Sequence, residues 1–154
     1  MNYVTHVIPA ALLATAIFAS TKAFAEYRQP NWFFVQTAKS IEIQGNKLVV
    51  PVKRDVFAFT SRPKRKHGYL TAGQFVALWK DGKANFTDTP PNAVLTWADV
   101  DRVHEAEIVL TGAHMGPSAA AVIFEFEFVV GAALPETARS ISLFVDGSSR
   151  FLDQ

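Results

Sequence analysis

The 154-residue chain carries fifteen basic and fourteen acidic side chains. It lacks the pervasively basic body of a non-specific nucleic-acid binder. It contains no cysteine, which excludes disulfides, thiol catalysis, redox exchange and thiolate metal sites. Stability must therefore come from buried apolar surface, for which thirteen Phe and three Trp provide the material.

The first expected element is one that export removes. Residues 1–6 form a polar opening, 7–19 an apolar run and 20–22 a polar break. Ala23-Phe24-Ala25 then puts small residues at the two positions a signal peptidase must accommodate. A signal peptide cleaved after Ala25 and a periplasmic address are expected. The apolar run is too short for a membrane anchor, which needs roughly 20 residues. Residues 26–154 then make a single domain with no formal net charge and no transmembrane segment.

After a polar lead at 26–31, residues 32–37 and 40–44 read as strands. Gly45-Asn46 makes a tight turn into a third strand at 47–52. Another strand spans 56–60, with Phe57 and Phe59 on one face. The one convincing helix covers about 71–81: Thr71 and Gln74 form a capping box, Phe75, Leu78 and Trp79 share a side, and Gly82 stops the run. Asp88 to Pro91 is a rigid break. Strands follow at 93–97 and 103–111. At 121–130, Val122, Phe124, Phe126 and Phe128 alternate with Ile123, Glu125, Glu127 and Val129; a last strand lies at 140–145. About eight short strands and one helix predict a mainly β domain, an antiparallel β-sandwich or curled sheet with the helix across one end.

Among residues that could carry chemistry, the only concentrated charge is Arg62, Lys64, Arg65 and Lys66, with His67 next, in the connection before the helix. Guanidinium and ammonium groups at this density suit a phosphate, sulfate or carboxylate. The competing reading is a solvated turn. Three histidines follow Ala25, namely His67, His104 and His114, and none has a metal-ligand spacing with a neighbour. His104 with His114, or with Asp99 and Asp101, is a weak metal constellation. Asp99-Val100-Asp101 also reads as a plain turn, and Glu125 with Glu127 reads as a solvent-facing row rather than an acid and base pair. No nucleophile elbow or phosphate loop is present. No catalytic residue, metal ligand set or cofactor motif is assigned. Asn85-Phe86-Thr87 is a formal glycosylation sequon.

Several segments together carry a resemblance: Phe33-Phe34-Val35-Gln36-Thr37-Ala38, Phe59-Thr60-Ser61-Arg62-Pro63 with Arg65 and Gly68, and Pro90-Pro91-Asn92-Ala93-Val94-Leu95. In these the chain resembles a family of small exported proteins of Gram-negative bacteria whose function is uncharacterised. The resemblance implies a periplasmic, helix-bearing β domain and brings no catalytic residue with it. The leading expectation is a non-enzymatic binding domain that recognises an anionic envelope component through Arg62, Lys64, Arg65, Lys66 and His67. The alternative is an envelope assembly or stress-related protein that binds an envelope protein by edge-strand contacts. A metal-dependent or hydrolytic enzyme ranks third.

Overall fold

Alternation of inward apolar and outward residues runs through the long strands and sets which side of the sheet becomes the core. The computed structural model describes residues 31–63, 65–80 and 86–147. The expected leader, Lys64, Gly82 and Asn85 lie outside the described residues. Eight strands form: β1 (Trp32–Gln44), β2 (Lys47–Pro51), β3 (Val56–Thr60), β4 (His67–Leu70), β5 (Asn92–Ala98), β6 (Val103–Met115), β7 (Ala121–Gly131) and β8 (Thr137–Gly147). Between β4 and β5 lies α1 (Ala72–Val76), continued by a 3-10 turn (Ala77–Trp79).

The mainly β character, the eight strands and the single short helix of the described residues are as expected, and the expected sandwich is corrected to a barrel, a sheet curled until it closes. The strands β1, β2, β7, β6, β5 and β8 pair in that order, and β8 pairs back onto β1, closing six strands. The remaining two, β3 and β4, continue outward from β1. Closure rests on the length of β1. One edge of it pairs with β3 through Trp32 to Val35 and with β2 through Glu42 to Gln44, while the other edge pairs with β8 from end to end. A sandwich would need separate strands for these two jobs; here one strand does both, so the expected break between 37 and 40 is a kink inside a single strand.

That kink is visible in the burial phase. Trp32, Phe34 and Gln36 point inward, and then Ile41 and Ile43 do, so the inward set changes parity between 36 and 41. On β8 the same change occurs between Ala138 and Ile141. Lys39 and Ser140 stand opposite each other at this point, between the paired Ala38–Ile141 and Ser40–Arg139, and Ser140 takes a left-handed φ of 51°. Both strands switch faces together, which turns the sheet through a barrel corner.

The capping box forms as expected: the Gln74 amide N–H donates to the Thr71 hydroxyl, and the Thr71 amide N–H donates to the Gln74 side chain. The helix is shorter than the expected 71–81, however, because after Val76 it tightens into the 3-10 turn. The turn sets Trp79 against β6, its indole N–H donating over 3.2 Å to the Leu110 carbonyl. Freed carbonyls are taken up locally: Leu78 accepts from the Phe86 amide at 2.7 Å and Trp79 from the Thr87 hydroxyl at 2.6 Å. Phe75 projects into the barrel, its ring centroid 5.2 Å from Phe34 on β1 and 6.1 Å from Phe124 on β7, two strands that do not pair. Trp79 and Phe86 complete the cluster, 4.7 Å apart. The helix thus plugs the barrel with rings.

Candidate functional site

The outer face of the sheet carries a second set of rings. Phe33 on β1, Phe57 and Phe59 on β3, and Tyr69 on β4 alternate with the inward Phe34, Val56, Ala58 and Thr60. Strand register places them side by side: Phe33 opposite Phe59, Phe57 opposite Tyr69, and Phe59 opposite His67. Their ring centroids lie 5.5 Å apart for Phe33 and Phe59, 5.7 Å for Phe57 and Phe59, and 5.3 Å for Phe57 and Tyr69. These are ordinary distances for favourable aromatic pairs. Phe57 and Phe59 do share a face, as the alternation requires, but it is the outward one.

The row continues across β1. Val35 pairs with Phe144 on β8, and Phe144 with Val94 on β5. Val129, the extra residue of a β-bulge in β7, reaches the same surface. Between Phe33 and Phe59 on one side and Val94, Val129 and Phe144 on the other lies an open groove of about 390 Å³, with Asn92, Glu107 and Asp146 supplying polar groups to its lining. Water reaches much of this surface, since Tyr69 is 69% and Phe144 45% exposed. An apolar surface of this extent with charged residues at its margin has the composition of an interaction site.

The basic segment lies beside the aromatic row, next to Phe59, and is tied back to β3 by backbone bonds. Thr60, which is buried, closes it from both sides: its amide N–H donates to the Lys66 carbonyl and its hydroxyl accepts from the Lys66 amide, both at 2.9 Å. Arg65 holds a left-handed φ of 47° inside the turn. Arg62 and Arg65 are exposed and make no ion pair among the described residues. His67 is not in the connection at all but opens β4, its ring 6.3 Å from Phe57. The expected loop is therefore half strand. Neither the groove nor the basic cleft described below is lined by Arg62, Arg65, Lys66 or His67.

The other singled-out residues are dispersed. His104 stands opposite Trp97 in the β5–β6 hairpin and stacks on its ring at 5.4 Å, with 12° between the planes. Its Nε2 lies 2.6 Å from Asp99 Oδ2, while Asp99 Oδ1 accepts from the Asp101 and Arg102 amides. The bond to His104, then the two amides, hold the Asp99 carboxyl down at about 2 from an ordinary 3.8. All of these are local bonds that shape a turn. His114 lies farther along β6, opposite Ile123. Among the described residues no group of three or more His, Asp or Glu is placed to hold a metal ion. Glu125 lies over Gly112, and Glu127 stands opposite Val109, on outward positions of β7.

A second concavity, of about 560 Å³, opens at the barrel corner. Its charged residues, Lys39, Lys53 and Arg54, were not legible as a site because they are spread over two segments of chain. No helix among the described residues is long and apolar enough to cross a membrane. No family model matches the chain, and no curated protein or solved structure matches it either.

Proposed function

We propose that the chain is an exported, non-enzymatic binding domain that takes an extended apolar segment of an envelope protein on its outer aromatic face. The observation that carries this reading is the outward row from Tyr69 through Phe57 and Phe59 to Phe33, with Phe144 across the groove from it. Aromatic residues bury large area with little loss of rotamer freedom, and they dominate the energetics of protein interfaces. Barrel closure pairs most of the edges that a sandwich would have offered, and β4 is left as the terminal strand, bonded to β3 alone. A partner strand added there would run beside Tyr69 and extend the aromatic face, combining backbone pairing with side-chain contact.

A second reading keeps the anionic envelope component as ligand, bound through Arg62, Lys64, Arg65, Lys66 and His67. Its support is the anchoring of the turn by Thr60 and the lack of ion pairs at Arg62 and Arg65 among the described residues.

Both are tested by placing a photoreactive side chain at position 69, at position 144, or at the distant exposed Lys47, in cells that export the protein. The expected result is one discrete protein adduct from positions 69 and 144 and none from Lys47. The adduct should be lost in a Phe57→Ser/Phe59→Ser variant that retains its circular dichroism spectrum and should persist in Arg62→Ala/Arg65→Ala. Loss in the arginine variant alone would transfer the reading to the basic turn.

A further inference from the structure

The corner that closes the barrel also opens a basic cleft. β3 leaves β1 at Val35 and β2 joins it only at Glu42, so the edge of β1 over residues 36–41 has no paired strand. The cleft of about 560 Å³ formed there is lined by Thr37, Lys39 and Ser40 of β1, Lys53 and Arg54 of the β2–β3 connection, and Ser140 of β8, with Ala38 and Pro51 as its apolar part. Three cations and three hydroxyls thus face one concavity, and no carboxylate is in its lining. None of the three cations makes an ion pair among the described residues. Like charges held together without a counter-charge are mutually unfavourable, and an anion between them relieves that cost. The backbone is strained at the same point: Ser140 holds φ 51°, in the left-handed region that an L-residue rarely adopts. Strain of this kind concentrates at ligand sites.

We propose that this cleft binds a phosphate- or sulfate-class oxyanion. The planar fork of Arg54 suits two of its oxygens, Lys39 and Lys53 supply point charges, and the hydroxyls of Thr37, Ser40 and Ser140 donate to the oxygens that remain. A tetrahedral oxyanion has enough acceptor lone pairs for such a donor set, whereas one carboxylate would leave part of it unused. The volume exceeds that of a bare phosphate, so an ester with a small organic group also fits. The site lies at the other end of β3 from the 61–66 turn, and it depends neither on the aromatic-face reading nor on the basic-turn reading.

The test is an isothermal titration of the purified protein with inorganic phosphate, sulfate or glycerol 3-phosphate, together with amide shifts by NMR. Sodium chloride at matched ionic strength is the control. Saturable binding is expected, with shifts concentrated at Lys39, Arg54 and Ser140. A Lys53→Ala/Arg54→Ala variant should bind roughly tenfold or more weakly, as expected for the loss of charge-assisted hydrogen bonds. Arg62→Ala/Arg65→Ala should stay within about twofold of the parent, since neither residue lines the cleft. Saturation by inorganic phosphate identifies a free ion as sufficient ligand, and saturation by glycerol 3-phosphate alone identifies an ester or headgroup. Linear shifts reproduced by chloride would overturn the proposal. So would parent affinity in the Lys53→Ala/Arg54→Ala protein, or loss of binding in the Arg62→Ala/Arg65→Ala protein instead.

Discussion

Phe33 and Phe34 are adjacent in sequence and end on opposite sides of the same strand, in two aromatic clusters of different kind. Phe34 belongs with Phe75, Trp79, Phe86 and Phe124 inside the barrel, where the rings are buried and meet one another edge-on or tilted. Phe33 belongs with Phe57, Phe59, Tyr69 and Phe144 outside, where Phe33, Phe59 and Phe57 stack in succession and water reaches Tyr69 and Phe144. The inner set has completed its burial within the fold and so accounts for stability. The outer set has area left to bury, and the free energy of burying it becomes available only when something covers it. One residue type therefore does two jobs, decided by the side of the pleat on which it falls.

The largest expected effect separates the two clusters by stability. Phe75→Ala removes the ring that bridges β1 and β7 through the barrel and should cost about 3–5 kcal/mol, measured by denaturant unfolding. That is a large part of the roughly 5–15 kcal/mol that holds a domain together. Replacing Tyr69 and Phe144 with Ser on the outer face should cost less than about 1 kcal/mol in the same experiment. The same pair should weaken partner capture roughly tenfold or more. Outer substitutions as costly as Phe75→Ala would show that the outer row is structural, and the comparison would collapse.

The smallest effect lies at the edge of the inner set, where His104 stacks on the buried Trp97 and is held by Asp99. The Asp99 carboxyl is depressed in the folded state, to about 2 from 3.8. Its contribution is therefore fully present above about pH 4 and is lost as pH falls through 2. Because the carboxyl is exposed, the effect should be local. Carboxyl NMR should give a titration midpoint near 2, with faster amide exchange at Asp101 and Arg102 below it. A midpoint at the ordinary aspartate value would mean that the Asp99–His104 bond does not order this end of the barrel.

Local chemistry was legible where a few neighbouring residues settle the outcome. The Thr71/Gln74 box marks the helix start. The Gly45 turn, with φ 62°, joins β1 to β2. The alternation through Phe124 and Phe126 marks the inward face of β7. Phe128 breaks the pattern by being 49% exposed, immediately before the bulge at Val129. β4 was hidden by its own composition: charges precede it and Gly68 lies within it, and its strand state comes from pairing with β3. Of the candidate sites, the 61–66 cations stood out because they are contiguous. Lys39 and Arg54 did not, because fifteen positions separate them and only the corner at Ser140 brings them to one cleft.

By itself the sequence determined that the described domain is mainly β, without disulfides, aromatic-rich and entered by one capped helix, since strand periodicity, caps and turns are short-range properties. Tertiary structure alone decided that the sheet closes, that six of the fourteen described aromatic rings are not buried, and that a basic cleft opens where β1 changes partners. Those outcomes depend on pairings such as Trp32 with Gly147 and Leu48 with Phe124. Each brings together strands that are far apart in the chain, and no local pattern encodes which edge meets which.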